Sequence, residues 1–97
     1  MPKGYWIANN IVHDVETYET YKAANAVPFR EFGARFLVRG GAQTGAEGQI
    51  NPRTVVIEFP SYEAALACYE SDSYKSAKAI RDPVSDGTLI IVEGYDG

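Results

Sequence analysis

The chain has very little of several things, and each shortage excludes a class of protein. Among its 97 residues there is one cysteine and one histidine. A lone Cys68 cannot staple a fold, and one histidine with no cysteine partners offers no metal-ligand spacing, so no metal is expected. Cys68 lies in the helical-looking Ala-Leu-Ala-Cys-Tyr with no cation beside it, which reads as a buried inert thiol in a reducing cytoplasm. There is no run of basic residues, and the net charge is -4. An acidic surface repels phosphate backbones and anionic membranes, so neither is an expected partner. No apolar run approaches the ~20 residues a spanning helix needs. The first residues pass directly into a strand-like segment, so no leader is expected. Gly40-Gly41 and Gly45-x-x-Gly48 lack the Lys-Ser/Thr and the following helix of a phosphate loop. One histidine makes no convincing nucleophile triad, and His13 reads as a surface residue.

What is present is an ordinary globule: 45% hydrophobic and 23% charged. A folded chain of this size exposes ~5,500 Å² against ~15,000 Å² when extended, enough for one core, so residues 1–97 are expected to form one domain.

The elements follow from punctuation and periodicity. Tyr5 to Val12 is β-branched and aromatic, a strand. Asp14 then caps a helix with Glu16 in its first turn and Tyr18 and Tyr21 on one face. A break is expected near Ala26, with a second piece from Pro28 to Phe32 ended by Gly33. Arg35–Arg39 and Thr54–Phe59 are strands joined by a polar, glycine-rich loop. Ser61 caps a helix to Glu70, and Ser71 starts another from Asp72 to about Asp82. Pro83 and Asp86-Gly87 break the chain before a last strand, Thr88–Glu93. The order β-α-β-β-α-β predicts an α+β, ferredoxin-like fold. Right-handed crossovers place the third strand between the first and second, and the first between the third and fourth, all antiparallel.

Thr54–Phe59 and Leu89–Val92 are nearly continuous apolar runs, whereas a sheet with one wet face should alternate. Two helical layers cannot be built from this chain, so the second face calls for another copy: a homodimer through its sheet faces.

Lys3-Gly4-Tyr5-Trp6-Ile7-Ala8, Phe36-Leu37-Val38-Arg39-Gly40-Gly41, Val55 to Ser61, the Tyr69-x-Ser71-x-x-Tyr74 stretch and Val92-Glu93-Gly94 together resemble the family called domain of unknown function 1330. The resemblance runs over nearly the whole chain. It implies a dimeric α/β barrel, in a superfamily that includes cofactorless monooxygenases, haem-degrading monooxygenases and muconolactone-type isomerases. It implies no established activity, and no cofactor is expected.

Two sets of residues are candidates for function. If Val55, Ile57 and Phe59 face the helices, Glu58 faces the other way. The same alternation sends Phe36, Val38, Ile90 and Val92 to the helices, and Arg39 and Glu93 to the side of Glu58. Arg39, Glu58 and Glu93 would then share the barrel interior, as acid–base groups and an anion holder. The competing reading, an ion-pair network that sets dimer register, weighs more. The second set is aromatic: Trp6, Tyr21, Tyr69 and Tyr74, with Tyr18, line a pocket or simply fill the core. Arg81 either binds an anion there or complements its helix dipole. The expected function is binding of a small, partly apolar or anionic molecule. The alternatives are a cofactorless monooxygenase or isomerase using Glu58 or Glu93, and a structural or regulatory dimer with no ligand site.

Overall fold

The strands and helices follow the expected order: β1 (Gly4–Val12), α1 (Val15–Ala24), α2 (Ala26–Glu31), β2 (Arg35–Arg39), β3 (Arg53–Phe59), α3 (Tyr62–Glu70), α4 (Asp72–Arg81), a 3-10 turn (Asp82–Val84) and β4 (Ser85–Glu93). These come from a computed structural model that describes residues 2–97. The sheet runs β2-β3-β1-β4, every neighbour antiparallel, and this is the arrangement the right-handed crossover rule selects.

Local chemistry starts and stops the helices. The Asp14 carboxylate accepts from Thr17 N at 3.2 Å and Thr17 Oγ1 at 2.8 Å, and those bonds hold its pKa below the ordinary value. Ser61 Oγ accepts from Ala64 N at 3.0 Å. Ser71 serves both neighbours: its Oγ donates to Cys68 O at 2.6 Å, closing α3, and accepts from Tyr74 N at 3.2 Å, opening α4. The break between α1 and α2 falls at Asn25, next to the expected Ala26, and α2 starts at Ala26, two residues before the expected Pro28. Pro28 sits in the first turn of α2, where a missing N–H costs no helical bond. Gly33, at φ +71°, ends α2 as its conformational freedom predicts.

β4 begins three residues earlier than the sequence suggests. Asp86-Gly87 reads as a turn, but Gly87 pairs with Asn10 inside the ladder. Its φ is +149°, and a Cβ there would strike the Asn9 carbonyl oxygen. The glycine marks a close backbone approach within the strand.

The register corrects the expected faces. Trp6, Ala8 and Asn10 of β1 point to the helices, so Ile91 (opposite Trp6) and Leu89 (opposite Ala8) do too. Ile90 and Val92 lie on the helix-free face, 54% and 39% exposed. Glu93, opposite Gly4, turns to the helix side. In β2 the register slips between Phe36 and Val38: Phe36 pairs with Ile57, but Val38 pairs with Val56. This bulge at Leu37 inverts the alternation beyond it, because one extra residue swaps the two faces. Val38 therefore faces outward, and Arg39, opposite Val55, turns toward the helices. Of Arg39, Glu58 and Glu93, only Glu58 lies on the helix-free face; the expected trio does not assemble.

The core is an aromatic cluster around Trp6. Its ring lies 5.3 Å from Phe29, 5.2 Å from Phe59, 5.8 Å from Tyr69 and 4.8 Å from Tyr74. The indole N–H donates to Ala65 O at 2.9 Å. Cys68 is fully buried against Pro28. Burial first, and the Glu31 charge second, push its thiol up to about 12.

That thiol makes alkaline stability a measurable property. An unfolded cysteine releases its proton near pH ~8.5, while the folded chain holds it to about 12. Above the unfolded pKa the native state binds more protons than the unfolded one, so stability is complete below it and falls as pH rises toward the folded value. The urea midpoint is expected to drop steadily from pH ~8.5 upward, by at most about 1.4 kcal/mol per pH unit from this group. The drop should be shallower in Cys68→Ala. Parallel slopes for the two proteins would show that the thiol carries none of it.

One face of the sheet has no cover. The molecule is a slab of 37 × 35 × 17 Å, with both helical pieces on one side. Ile7, Val56, Ile90 and Val92 meet across β1, β3 and β4 on the other, joined by Val38. The chain exposes 6008 Å², more than the roughly 5,500 Å² expected of a globule of this length.

Candidate functional site

A cavity of about 290 Å³ opens between the helical layer and the sheet. Each wall follows from the strand phases just described. β1 contributes Trp6, Ala8 and Asn10, in step along its helix-facing side. α1 contributes Tyr18 and Tyr21, one turn apart on its buried face. α2 adds Phe29, and β2 adds Phe36 and Arg39. β3 supplies Arg53, Val55 and Ile57, and α4 supplies Tyr74 and Arg81.

The floor is a chain of hydroxyls anchored by a cation. Arg81 Nη1 donates to Tyr74 Oη at 3.0 Å, and Tyr74 Oη lies 2.8 Å from Tyr21 Oη. Burial holds the Tyr74 hydroxyl well above the ordinary tyrosine value, with Tyr21 adding to the effect and Arg81 opposing it. Burial pulls Arg81 down, but Tyr74, Tyr21 and Asp82 outweigh it and hold the guanidinium above its ordinary value. Its Nη2 donates to Asp82 Oδ1 at 3.2 Å, and Lys78 Nζ reaches Asp82 Oδ2 at 2.7 Å. These bonds keep the Asp82 carboxyl below its usual pKa against the opposing effect of burial. Arg81 is therefore committed to the protein, and its charge orients Tyr74.

Arg39 and Arg53 differ. Arg39 stacks over Phe36, its guanidinium carbon 4.1 Å from the ring centre. Arg53 lies over Tyr18 at 5.4 Å. Neither makes an ion pair among the described residues, and Arg53 Nε is buried without a hydrogen-bond partner. Stacking fixes each guanidinium plane while leaving its charge unneutralised.

Five of the six residues proposed for binding, Trp6, Tyr21, Arg39, Tyr74 and Arg81, line this cavity. Tyr69 packs behind the wall, 5.8 Å from Trp6 and 5.7 Å from Tyr74. Arg39 arrives because of the bulge, on the opposite side of the sheet from the expected one. Glu58 and Glu93 are elsewhere. Glu58 Oε2 accepts from Tyr5 Oη at 3.2 Å, and Oε1 lies 3.8 Å from Arg35, a polar group on the helix-free face. Burial, then the Glu58 bond, raises the Tyr5 pKa.

Asn10, Asn25 and Arg53 were not singled out from the sequence. Asn10 and Arg53 carried a usable signal: each is a polar residue in phase with apolar ones that face inward, Asn10 with Trp6 and Ala8, Arg53 with Val55 and Ile57. His13 is exposed as expected, but its Nε2 meets Asp86 Oδ2 of β4 at 2.7 Å. Among the described residues no group of three or more His, Cys, Asp or Glu side chains is placed to hold a metal. No helix among them is long and apolar enough to cross a membrane.

This architecture, a four-stranded antiparallel sheet with helices on one face, is the ferredoxin-like α+β fold. Within it the chain belongs to the family described as domain of unknown function DUF1330, which it matches over residues 3–95. No curated protein matches the sequence. Among solved structures, it is similar to a protein of unknown function from Rhodopseudomonas palustris, at 15% identity and a TM-score of 0.76, covering 99% of this chain and 85% of that one. SnoaB, a cofactor-independent oxygenase from Streptomyces nogalater, is similar at 10% identity and 0.66, covering 100% and 97%. A dimeric ferredoxin-like protein of unknown function from Thermobifida fusca is similar at 17% and 0.63, covering 95% and 91%. At these identities the likeness is one of fold.

Proposed function

We propose that this chain is a single homodimeric domain that binds a small, partly apolar anion in the cavity between its helices and sheet. The observation that carries the reading is the pairing of an aromatic wall with two stacked, uncompensated arginines, Arg39 and Arg53, around about 290 Å³ of space. Ordinary cores leave few voids larger than a water molecule. A purely structural domain would close such a space, which weighs against the reading without a ligand site. Pockets for small molecules begin near ~300 Å³ and combine apolar walls with a few fixed polar groups. A second copy of the chain covers the apolar outer face, and the Tyr5–Glu58–Arg35 group sets the register there. Glu58 and Glu93 lie outside the cavity, so they have no place as its acid or base. The expected setting is the cytoplasm, with neither nucleic acid nor membrane as partner.

A thermal-shift panel of aromatic carboxylates tests the binding reading. A ligand at 100 times its Kd stabilises by about 2.7 kcal/mol, which moves the midpoint of a domain this size by roughly 10 °C or more. The shift should disappear in the Arg39→Ala, Arg53→Ala double variant. A panel with no shift in the unmodified protein would overturn the reading.

A further inference from the structure

Two buried polar groups of the cavity have incomplete hydrogen bonding, and together they say what kind of anion it takes. The first is Asn10, only 8% exposed. Its Nδ2 donates to Tyr18 Oη at 3.3 Å, while Oδ1 has no partner among the described residues. Strand alternation puts this side chain on the cavity side of β1, in step with Trp6 and Ala8.

The second is the hydroxyl proton of Tyr21, and elimination locates it. Tyr74 is completely buried. Its oxygen accepts from Arg81, and among the described residues the only acceptor within reach of its own proton is Tyr21 Oη. A buried hydroxyl keeps its proton paired, so Tyr74 donates and Tyr21 accepts. The proton of Tyr21 then has no acceptor among the described residues, on a ring that lines the cavity. The Arg81 charge at the far end enforces this direction, because it repels a hydroxyl proton turned toward it.

We propose that the ligand is a hydroxylated aromatic acid, with its carboxylate toward Arg39 and Arg53 and its hydroxyl at Asn10 and Tyr21. This rests on the binding reading above and adds the second polar group. A hydroxyl both donates and accepts, so one such group satisfies the Asn10 oxygen and the Tyr21 proton together. It also serves if the Asn10 amide turns over and offers N–H instead. An acid without a hydroxyl would leave both groups unpaired, which lowers its affinity relative to the hydroxylated acid. The volume of about 290 Å³ suits a body of one or two rings.

The test is calorimetric titration of the full chain with two matched pairs of probes: para-hydroxybenzoate against benzoate, and para-hydroxycinnamate against cinnamate. The pairs differ in the span from carboxylate to hydroxyl. In at least one pair the hydroxylated acid is expected to bind about tenfold tighter or better. In Asn10→Leu and in Tyr21→Phe that preference should shrink to within about threefold. Tyr21→Phe removes a single oxygen, so it keeps the test open if Asn10→Leu folds poorly; circular dichroism melts check both. Equal affinity within both pairs overturns this inference and leaves the binding reading intact. A preference that survives in a folded Tyr21→Phe also overturns it. Failure of every acid to bind at millimolar concentration overturns both.

Discussion

Trp6→Ala is expected to remove about 4 kcal/mol of stability, in the range measured for truncating large buried aromatics. The reason is its place at the centre of the core: it is 2% exposed and touches the rings of Phe29, Phe59, Tyr69 and Tyr74. These four belong to α2, β3, α3 and α4, so one side chain joins both helical pairs to the sheet. At roughly 4–8 °C per kcal/mol for a domain of this length, the melting temperature should fall by about 16–32 °C. Trp6→Phe retains most of the apolar contact but loses the bond to Ala65 O, and should cost about 1–2 kcal/mol. Urea denaturation of the two variants checks both figures. A loss below about 1 kcal/mol for Trp6→Ala would mean that the helical layer is held on by something other than this ring.

Ile90→Asp is expected to convert the proposed homodimer to a monomer. Ile90 is 54% exposed on the helix-free face, opposite Ile7, so the isolated fold tolerates a charge there. A second sheet packed on it does not: the carboxylate would enter an apolar interface with no partner, which typically costs several kcal/mol. The dimer dissociation constant should rise by about a hundredfold or more, since each 1.4 kcal/mol is a factor of ten. Val27→Asp is the control. Val27 is also half exposed, but it lies in the helical layer and should leave the dimer intact. Light scattering at micromolar concentration reads both variants. A monomeric unmodified protein, or an Ile90→Asp variant that stays dimeric, would remove the sheet-to-sheet arrangement.

The sequence is most legible where one residue carries the physics. Asp14, Ser61 and Ser71 each bond an N–H three residues on, and such a bond needs nothing from the rest of the chain. Gly33 likewise ends a helix by its own backbone freedom. Strand phase is legible in β3, where Glu58 interrupts the apolar run and reveals which face is which. In β4 four apolar residues in a row, Leu89–Val92, give both phases equal weight. The pairing of Trp6 with Ile91 broke that tie. In β2 the alternation holds at Phe36 and is then inverted by a bulge that no residue type announces.

The cavity divides along the same line. Trp6, Tyr21 and Tyr74 could be named in advance because large aromatics at helical or strand spacing face a core. Their hydroxyl chain could not be, because Tyr21 and Tyr74 are 53 positions apart and Arg81 joins them only through the packing of α1 on α4.

By itself, then, the sequence determined the order of elements, their caps and, with crossover handedness, the strand order, since these depend on local chemistry and chain chirality. Only the tertiary structure decided which way Arg39 and Ile90 point, and that Asn10 and Tyr21 line one cavity. Those outcomes depend on register and on contacts between distant segments, which residue types alone do not specify.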